Sequence, residues 1–309
     1  MIRVLHVYRG YGDKLKNPVI DNQIYSLDLD KIQSLRFILK KGGFYYVLNI
    51  FKLRKFVKVN NIDIIHAHYS FSGLLSSLSF SGKPIVCSLM GSDVLANKLF
   101  NRIIKFFNKK MWTRTIVKSI EMKKVFPNTV VIPNGVDFKN FRPINKSDAI
   151  FKTGFNKDEI NIIFVATNPN TKVKNINLAK TAVEIVKEKI EKKVNLHILS
   201  NVKFLDLPYF FSSADMLLLT SFSEGSPNVI KEAMACNCPI VSTNVGDIAD
   251  IITEAKGCFI TNFNSEDVAL KIVKAIKFGT KTNGRKLVGD FSTDKISKKI
   301  YNLYINNLT

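Results

Sequence analysis

The residues best suited to chemistry lie in one stretch, Ser221-Phe222-Ser223-Glu224-Gly225-Ser226-Pro227-Asn228-Val229-Ile230-Lys231-Glu232-Ala233-Met234-Ala235. The apolar run Met216-Leu217-Leu218-Leu219-Thr220 before it reads as a buried strand, and Pro227 stands where the first turn of a helix begins. A helix starting there presents backbone N–H groups and a partial positive charge at the carboxyl edge of the sheet. Open α/β sheets bind their ligands at that edge. Glu224 falls on the loop and Glu232 more than one turn along the helix. Two carboxylates so placed accept hydroxyl hydrogen bonds from the two ends of one elongated ligand, with a diphosphate near the helix start. Either glutamate alone reads as an ordinary surface residue; the strand–glycine–proline–helix context is what points to a site.

Around this stretch, short β-branched runs at 2–8, 62–66, 84–89, 115–118 and 129–133 are followed by a second series at 161–166, 195–199, 216–220, 239–242 and 258–261. Periodic apolar segments at 46–59, 94–112, 176–191 and 267–278 lie between them and read as helices. Alternating strand and helix predicts mostly parallel sheets covered on both faces. The series restarts at Asn161-Ile162-Ile163-Phe164-Val165-Ala166, after a polar stretch at 137–158 that reads as a linker. The expectation is therefore two doubly wound α/β domains, 1–145 and 146–290, with a final segment 291–309.

The chain has 309 residues, with 46 Lys and Arg against 25 Asp and Glu, a formal charge of +21. No apolar run approaches the roughly 20 residues that span a bilayer. The first eight residues are too short for a signal peptide, and four cysteines are too few for a disulfide scaffold. The expected setting is cytoplasmic. The charge is uneven: residues 1–150 hold 25 basic and 9 acidic residues, and 151–309 hold 21 and 16. Residues 31–60 carry eight cations (Lys31, Arg36, Lys40, Lys41, Lys52, Arg54, Lys55, Lys58) and no acid, interleaved with aromatics, and 98–124 is basic with Glu121 as its one acid. Solvated helix faces, an anionic membrane surface and nucleic acid all suit such charge. No zinc finger, RNA-recognition motif or Arg-rich arm supports nucleic acid. Asp28-Leu29-Asp30 reads as a surface turn, Cys236 and Cys238 as small residues at a helix end, and no Gly-x-x-x-x-Gly-Lys phosphate loop is present.

The spacing from Glu224 to Glu232, followed by Pro239-Ile240-Val241-Ser242, resembles the Glu-x7-Glu signature of glycosyltransferase family 4. Val131-Ile132-Pro133-Asn134-Gly135-Val136-Asp137 with Phe141-Arg142-Pro143 is similar to that family's interdomain segment, and Asp63-Ile64-Ile65-His66-Ala67-His68-Tyr69 and Gly91-Ser92-Asp93 to its first domain. The resemblance implies the GT-B fold: two Rossmann-like domains facing a central cleft, and a terminal helix at 291–305 that crosses back to the first.

It also implies that Glu224 contacts hydroxyls of a donor sugar and Glu232 the ribose of its nucleotide, with Gly225, Ser226, Asn228 and Val229 facing the sugar or diphosphate. Lys174, in Lys174-Asn175, matches the family's diphosphate-binding lysine. The expected upstream Arg is missing, and Lys172 stands in as a point charge without a bidentate fork. Asn134, and Gly10 and Gly12 of the loop Arg9-Gly10-Tyr11-Gly12, are further donor-side candidates. Asp93 and His68 are candidates for catalytic polar roles, because Met90 occupies a position where the family commonly has His.

The implied activity is retaining transfer of a hexosyl group from a UDP- or GDP-linked donor to a glycan or lipid-linked acceptor. Its setting is bacterial surface polysaccharide synthesis (capsule, O-antigen or lipopolysaccharide), with neither metal nor cofactor. A peripheral position on the inner face of the cytoplasmic membrane, contacted through 31–60 and 98–124, goes with it, and no nucleic acid is expected. The alternatives are a catalytically degenerate, transferase-like binding subunit and a sugar-nucleotide epimerase of the same fold.

Overall fold

In the computed structural model, described over residues 1–10, 17–27, 31–39, 43–94 and 98–308, the chain forms two α/β units. Gly12, Asp28-Leu29-Asp30, Lys40 and Lys41 lie outside the described residues. The first unit is Met1–Gly135 with Thr293–Thr309, and the second is Val136–Ser292. Strands β1 (Ile2–Arg9), β2 (Ile32–Leu39), β3 (Ile64–His68), β4 (Ile85–Ser88), β5 (Arg114–Val117) and β6 (Val130–Val131) form the first sheet, in the order β2-β1-β3-β4-β5-β6. Strands β7 (Ile160–Val165), β8 (Val194–Leu199), β9 (Met216–Leu219), β10 (Ile240–Thr243) and β11 (Phe259–Thr261) form the second, in the order β11-β10-β9-β7-β8. Every pairing between these strands is parallel. The two sheets wind alike: each first strand lies between its second and third.

Because side chains alternate across a strand, each sheet feeds two cores. In the first unit Leu5, Ile65, Cys87 and Val117 pack with Leu53, Val57, Leu75 and Ile104 of the covering helices. On the other face Val4, Ile64, Val86 and Ile116 pack with Ile296, Ile300 and Tyr304 of the terminal helix Thr293–Ile305. In the second unit Ile163, Leu217, Leu219 and Ile240 meet Ile230 and Met234 on one side. Ile162, Met216, Leu218 and Val241 meet Ala179, Val183, Val268 and Ile272 on the other. Among the described residues no helix is long and apolar enough to cross a membrane.

Two features differ from the sequence reading. Residues 32–39, read only as part of a basic stretch, form edge strand β2. Its Arg36 lies 3.6 Å from Asp21 and 5.0 Å from the centre of the Tyr25 ring. Residues 136–145, read as the end of the first domain, belong to the second unit. Phe141 is fully buried there. Arg285 donates to the carbonyls of Phe138 (3.0 Å), Phe141 (2.6 Å) and Ala235 (2.9 Å), which ties the segment down.

Under the carboxyl edge of the first sheet lies a fully buried group of imidazoles. His6 on β1 and His68 on β3 share a hydrogen bond of 3.1 Å between Nδ1 and Nε2. His66 stacks on His68 at 4.3 Å between ring centres and holds the Tyr304 hydroxyl with Nδ1 and the Ser88 hydroxyl with Nε2. Burial, assisted by Arg36, lowers His6 to about 3. Burial, with neighbouring imidazoles and Lys118 adding, holds His66 and His68 well below the usual range. All three are therefore neutral in the native state.

Below pH ~6.5 the unfolded chain takes up protons that these native imidazoles refuse. Stability is thus present above that pH and lost as pH falls, by about 1.4 kcal/mol per pH unit for each imidazole. Thermal unfolding between pH 7 and 5, where ordinary carboxylates barely titrate, is expected to show this loss, and a His6→Gln variant a shallower one. A melting temperature flat across that window contradicts the neutral network.

Candidate functional site

The 221–235 stretch is built as its residue types demand. Strand β9 is buried along its whole length between β7 and β10, and the polar residues that follow it fasten the neighbouring loops. The Thr220 hydroxyl donates to the carbonyls of Lys174 (3.3 Å) and Asn175 (2.9 Å), and the Phe222 amide donates to the carbonyl of Val173 at 2.8 Å. From the other side, the Thr243 hydroxyl at the end of β10 donates to the Ser221 carbonyl at 2.8 Å. Lys172–Lys174 forms one 3-10 turn, closed by Asn175 at φ +50°, a left-handed conformation that Asn tolerates.

These ties bring Lys174 Nζ to 2.5 Å from Glu224 Oε1, which also accepts from the Ser221 hydroxyl at 2.7 Å. The pair is partly exposed, with side chains 28% and 16% accessible, so a ligand can reach it. Lys172 is exposed at the start of the same turn.

Pro227 precedes the helix Asn228–Ala235 without a side-chain cap. A helix start whose cap residue supplies no acceptor is the kind that receives anions. Gly225, Ser226, Asn228 and Val229 line this turn, each half-buried. Glu232 is 8% exposed, and burial, opposed by the adjacent Lys231, pushes its carboxyl up to about 7. The loop after β10 closes on the site from behind. Gly246 sits at φ +61°, and a Cβ there would lie 2.6 Å from the Gly225 carbonyl oxygen.

The structure therefore groups Glu224, Lys174, Gly225, Ser226, Asn228, Val229 and Glu232 at one edge of the second sheet. That arrangement offers a cation and a helix N-terminus to a diphosphate, and carboxylates to hydroxyl groups. Gly10, Asn134, His68 and Asp93 belong to the first unit. Gly10 follows β1, and Asn134 is 8% exposed beyond β6. The structure places His68 and Asp93 differently from the catalytic roles drawn from sequence. His68 is wholly enclosed in the imidazole group. Asp93 accepts from the Ser70 amide (3.1 Å) and hydroxyl (2.5 Å) through Oδ1 and from the Met90 amide (2.6 Å) through Oδ2. Its carboxylate joins the ends of β3 and β4. Ser221, Thr243, Gly246 and Lys231 went unassigned in the sequence reading. A lysine on the inward face of an apolar helix was the one visible signal.

The nitrogens of His6, His66 and His68 lie within 4.8 Å of one another, in reach of a metal ion. Imidazole lone pairs lie in the ring plane, so the stacked His66 and His68 do not aim at one point, and His66 has both nitrogens bonded. Cys236 and Cys238 are buried at the end of the site helix, where burial pushes the thiol of Cys238 up to about 12.

Residues 2–140 match the family described as Glycosyltransferase Family 4, and residues 179–277 the one described as Glycosyl transferases group 1. The chain is 24% identical over 305 residues to the UDP-Gal:alpha-D-GlcNAc-diphosphoundecaprenol alpha-1,3-galactosyltransferase of Escherichia coli, covering 84% of this chain and 79% of that one. It is 26% identical over 242 residues to the capsular polysaccharide biosynthesis glycosyltransferase CapH of Staphylococcus aureus, covering 65% of each. Among solved structures, Anabaena HepE in complex with UDP superposes with a TM-score of 0.78 at 17% identity, over 99% of this chain and 100% of that one. The likeness is one of fold, the two Rossmann-like units of GT-B. Matched in order by both family models and wound in both units as that fold requires, the chain belongs to the group 1 glycosyltransferases of family 4.

Proposed function

We propose that this glycosyltransferase binds a nucleotide-sugar, with a UDP-hexose as first candidate, at the carboxyl edge of the second sheet and transfers the sugar with retention to a glycan or lipid-linked acceptor of surface polysaccharide synthesis. The observation that carries this reading is the Lys174–Glu224 pair beside an uncapped helix start, with Glu232 farther along the same helix. Support for the donor comes from the Escherichia coli relative, named for UDP-Gal, and from HepE complexes with UDP and UDP-glucose. Support for the setting comes from that relative and CapH.

In this scheme the diphosphate competes with Glu224 for Lys174 and lies at the N-terminus of the helix Asn228–Ala235. Positive charge is then fixed in place where the leaving group gains negative charge, without a metal. Glu224 accepts hydrogen bonds from sugar hydroxyls and Glu232 from the ribose. Attack from the face that the diphosphate leaves, with a phosphate oxygen taking the proton, accounts for retention without an enzymic nucleophile.

The membrane part of the proposal rests on two helices over one face of the first sheet. In Lys98–Lys110, Phe100, Ile104 and Phe107 face the core. Leu99, Ile103 and Phe106, each one residue earlier and so about 100° round the helix on the adjoining face, are 66%, 41% and 58% exposed. Arg102, Lys105, Lys109 and Lys110 are exposed beside them. Gly43–Val59 exposes Tyr45, Val47 and Phe51 with Lys52, Arg54, Lys55 and Lys58. Apolar side chains ringed by cations suit an anionic bilayer surface.

A thermal-shift panel of nucleoside diphosphates is expected to give a selective stabilisation that Glu232→Ala abolishes, while Glu224→Ala keeps binding and loses about 100-fold or more of turnover. Normal turnover in both variants removes the assignment. Because ionised Glu232 accepts from the ribose more strongly than its acid form, affinity is expected to rise by up to roughly tenfold from pH 6 to pH 8 and to rise less in Glu232→Gln; equal slopes refute that role. The full chain is expected to sediment with anionic but not neutral vesicles at low salt, and Ile103→Glu with Phe106→Glu to abolish this. No difference between the vesicles ends the membrane reading.

A further inference from the structure

Lys231 is 0% exposed, one residue before Glu232 on the helix Asn228–Ala235. An ammonium in such a place loses its hydration, and an apolar side chain of equal volume fills the same space without that cost. The ammonium donates to the Ser226 hydroxyl at 3.1 Å and lies 5.6 Å from the centre of the Phe291 ring. Ser226 and Lys231 both favour the charged form of Asp247, on the loop after β10. Asp247 and Glu232 are the carboxylates whose charge supports the lysine.

The hydrogen bond from Lys231 to Ser226 joins the site helix to the loop that carries Gly225 and Ser226. The charge of Asp247, on the loop behind, supports the ammonium. Gly246 makes the close approach possible, since any Cβ there would collide with the carbonyls of Gly225 and Glu224.

We propose that Lys231 is a positioning residue for the donor: through Ser226 it fixes the loop at Gly225 and Ser226 in the arrangement that receives the diphosphate. This rests on the donor-site reading above. Loosening the loop removes a contact made to the donor before and during transfer alike, so donor KM is affected more than kcat.

The test uses the full chain with UDP and GDP as probes. Wild type, Lys231→Met, Ser226→Ala and the double variant are compared by calorimetric titration, donor KM and kcat, and melting temperature. Lys231→Met is expected to weaken binding of the preferred diphosphate about tenfold and raise donor KM to match, with kcat changed less than about threefold. The double variant is expected to bind no more weakly than Lys231→Met, because both substitutions cut the same link. A purely structural lysine instead lowers melting temperature and kcat while Kd and KM stay put, and that result, or additive losses, overturns the proposal. Should Lys231→Met fail to fold, Asp247→Asn, outside the helix, is expected to weaken binding about threefold; unchanged affinity overturns it equally. A wild type that binds neither diphosphate removes the donor-site reading and this proposal together. That outcome is distinct from a wild type that binds and a variant that binds as well.

Discussion

The contact on which the second unit's site depends is the one between Lys174 and Glu224, 2.5 Å apart. Fifty residues of chain separate them, and neither lies on a strand or an α-helix. They meet because β7 and β9 are neighbours and parallel, so the loops leaving both strands emerge at the same edge. This is also where the winding reverses: β8 lies on one side of β7, and β9, β10 and β11 follow on the other. At such a reversal the helices on either side diverge and leave a crevice. The hydroxyls of Thr220, Ser221 and Thr243 convert that crevice from a topological consequence into a fixed set of distances.

The first sheet reverses in the same way between β1 and β3, and the residues there are of a different kind. His6, His66 and His68 sit below the edge, His6 bonded to His68, and His66 stacked on His68 and bonded to Ser88 and Tyr304, and burial keeps them neutral. The second sheet's reversal carries charge that solvent and ligand can reach. Stability does not account for that difference. A partly exposed ion pair contributes about 1 kcal/mol at most, and a buried lysine or glutamate costs more than an apolar residue of its size. The polar groups around Glu224 and Glu232 are therefore better explained by what they hold in place than by what they add to folding.

Much of this was legible in the sequence. The β-branched runs marked ten of the eleven strands found among the described residues, because central parallel strands are apolar on both faces. Strand β2 escaped because it is an edge strand: Gln33, Ser34 and Arg36 break its pattern, and Arg36 is satisfied by Asp21 and Tyr25, partners from another element. The boundary at 145 was misplaced for a similar reason. Residues 136–145 are polar enough to read as a linker, and their anchorage by Arg285 spans more than 140 residues of sequence. Glu224, Glu232 and Lys174 were legible because their chemistry coincides with a local strand–turn–helix pattern. His68 and Asp93 were assigned outward-facing chemistry because residue type says nothing of burial. Lys231 was passed over because its partners, Ser226 and Asp247, come together only in the folded unit.

Charge illustrates the same limit from the other side. The count of cations in 31–60 and 98–124 does not distinguish a solvated helix from a membrane-facing one, and the folded structure divides the residues in a way the count does not. Arg36 is paired on a strand, and Lys31 lies against the Tyr301 ring, so part of the first basic stretch is already engaged. In Lys98–Lys110 the cations flank a row of exposed apolar side chains that the fold does not use, since Phe100, Ile104 and Phe107 already fill the core from the adjoining face. A helix whose apolar stripe is wider than the core it meets leaves part of that stripe exposed. The basic border around that exposed part is what the proposed contact with an anionic bilayer rests on.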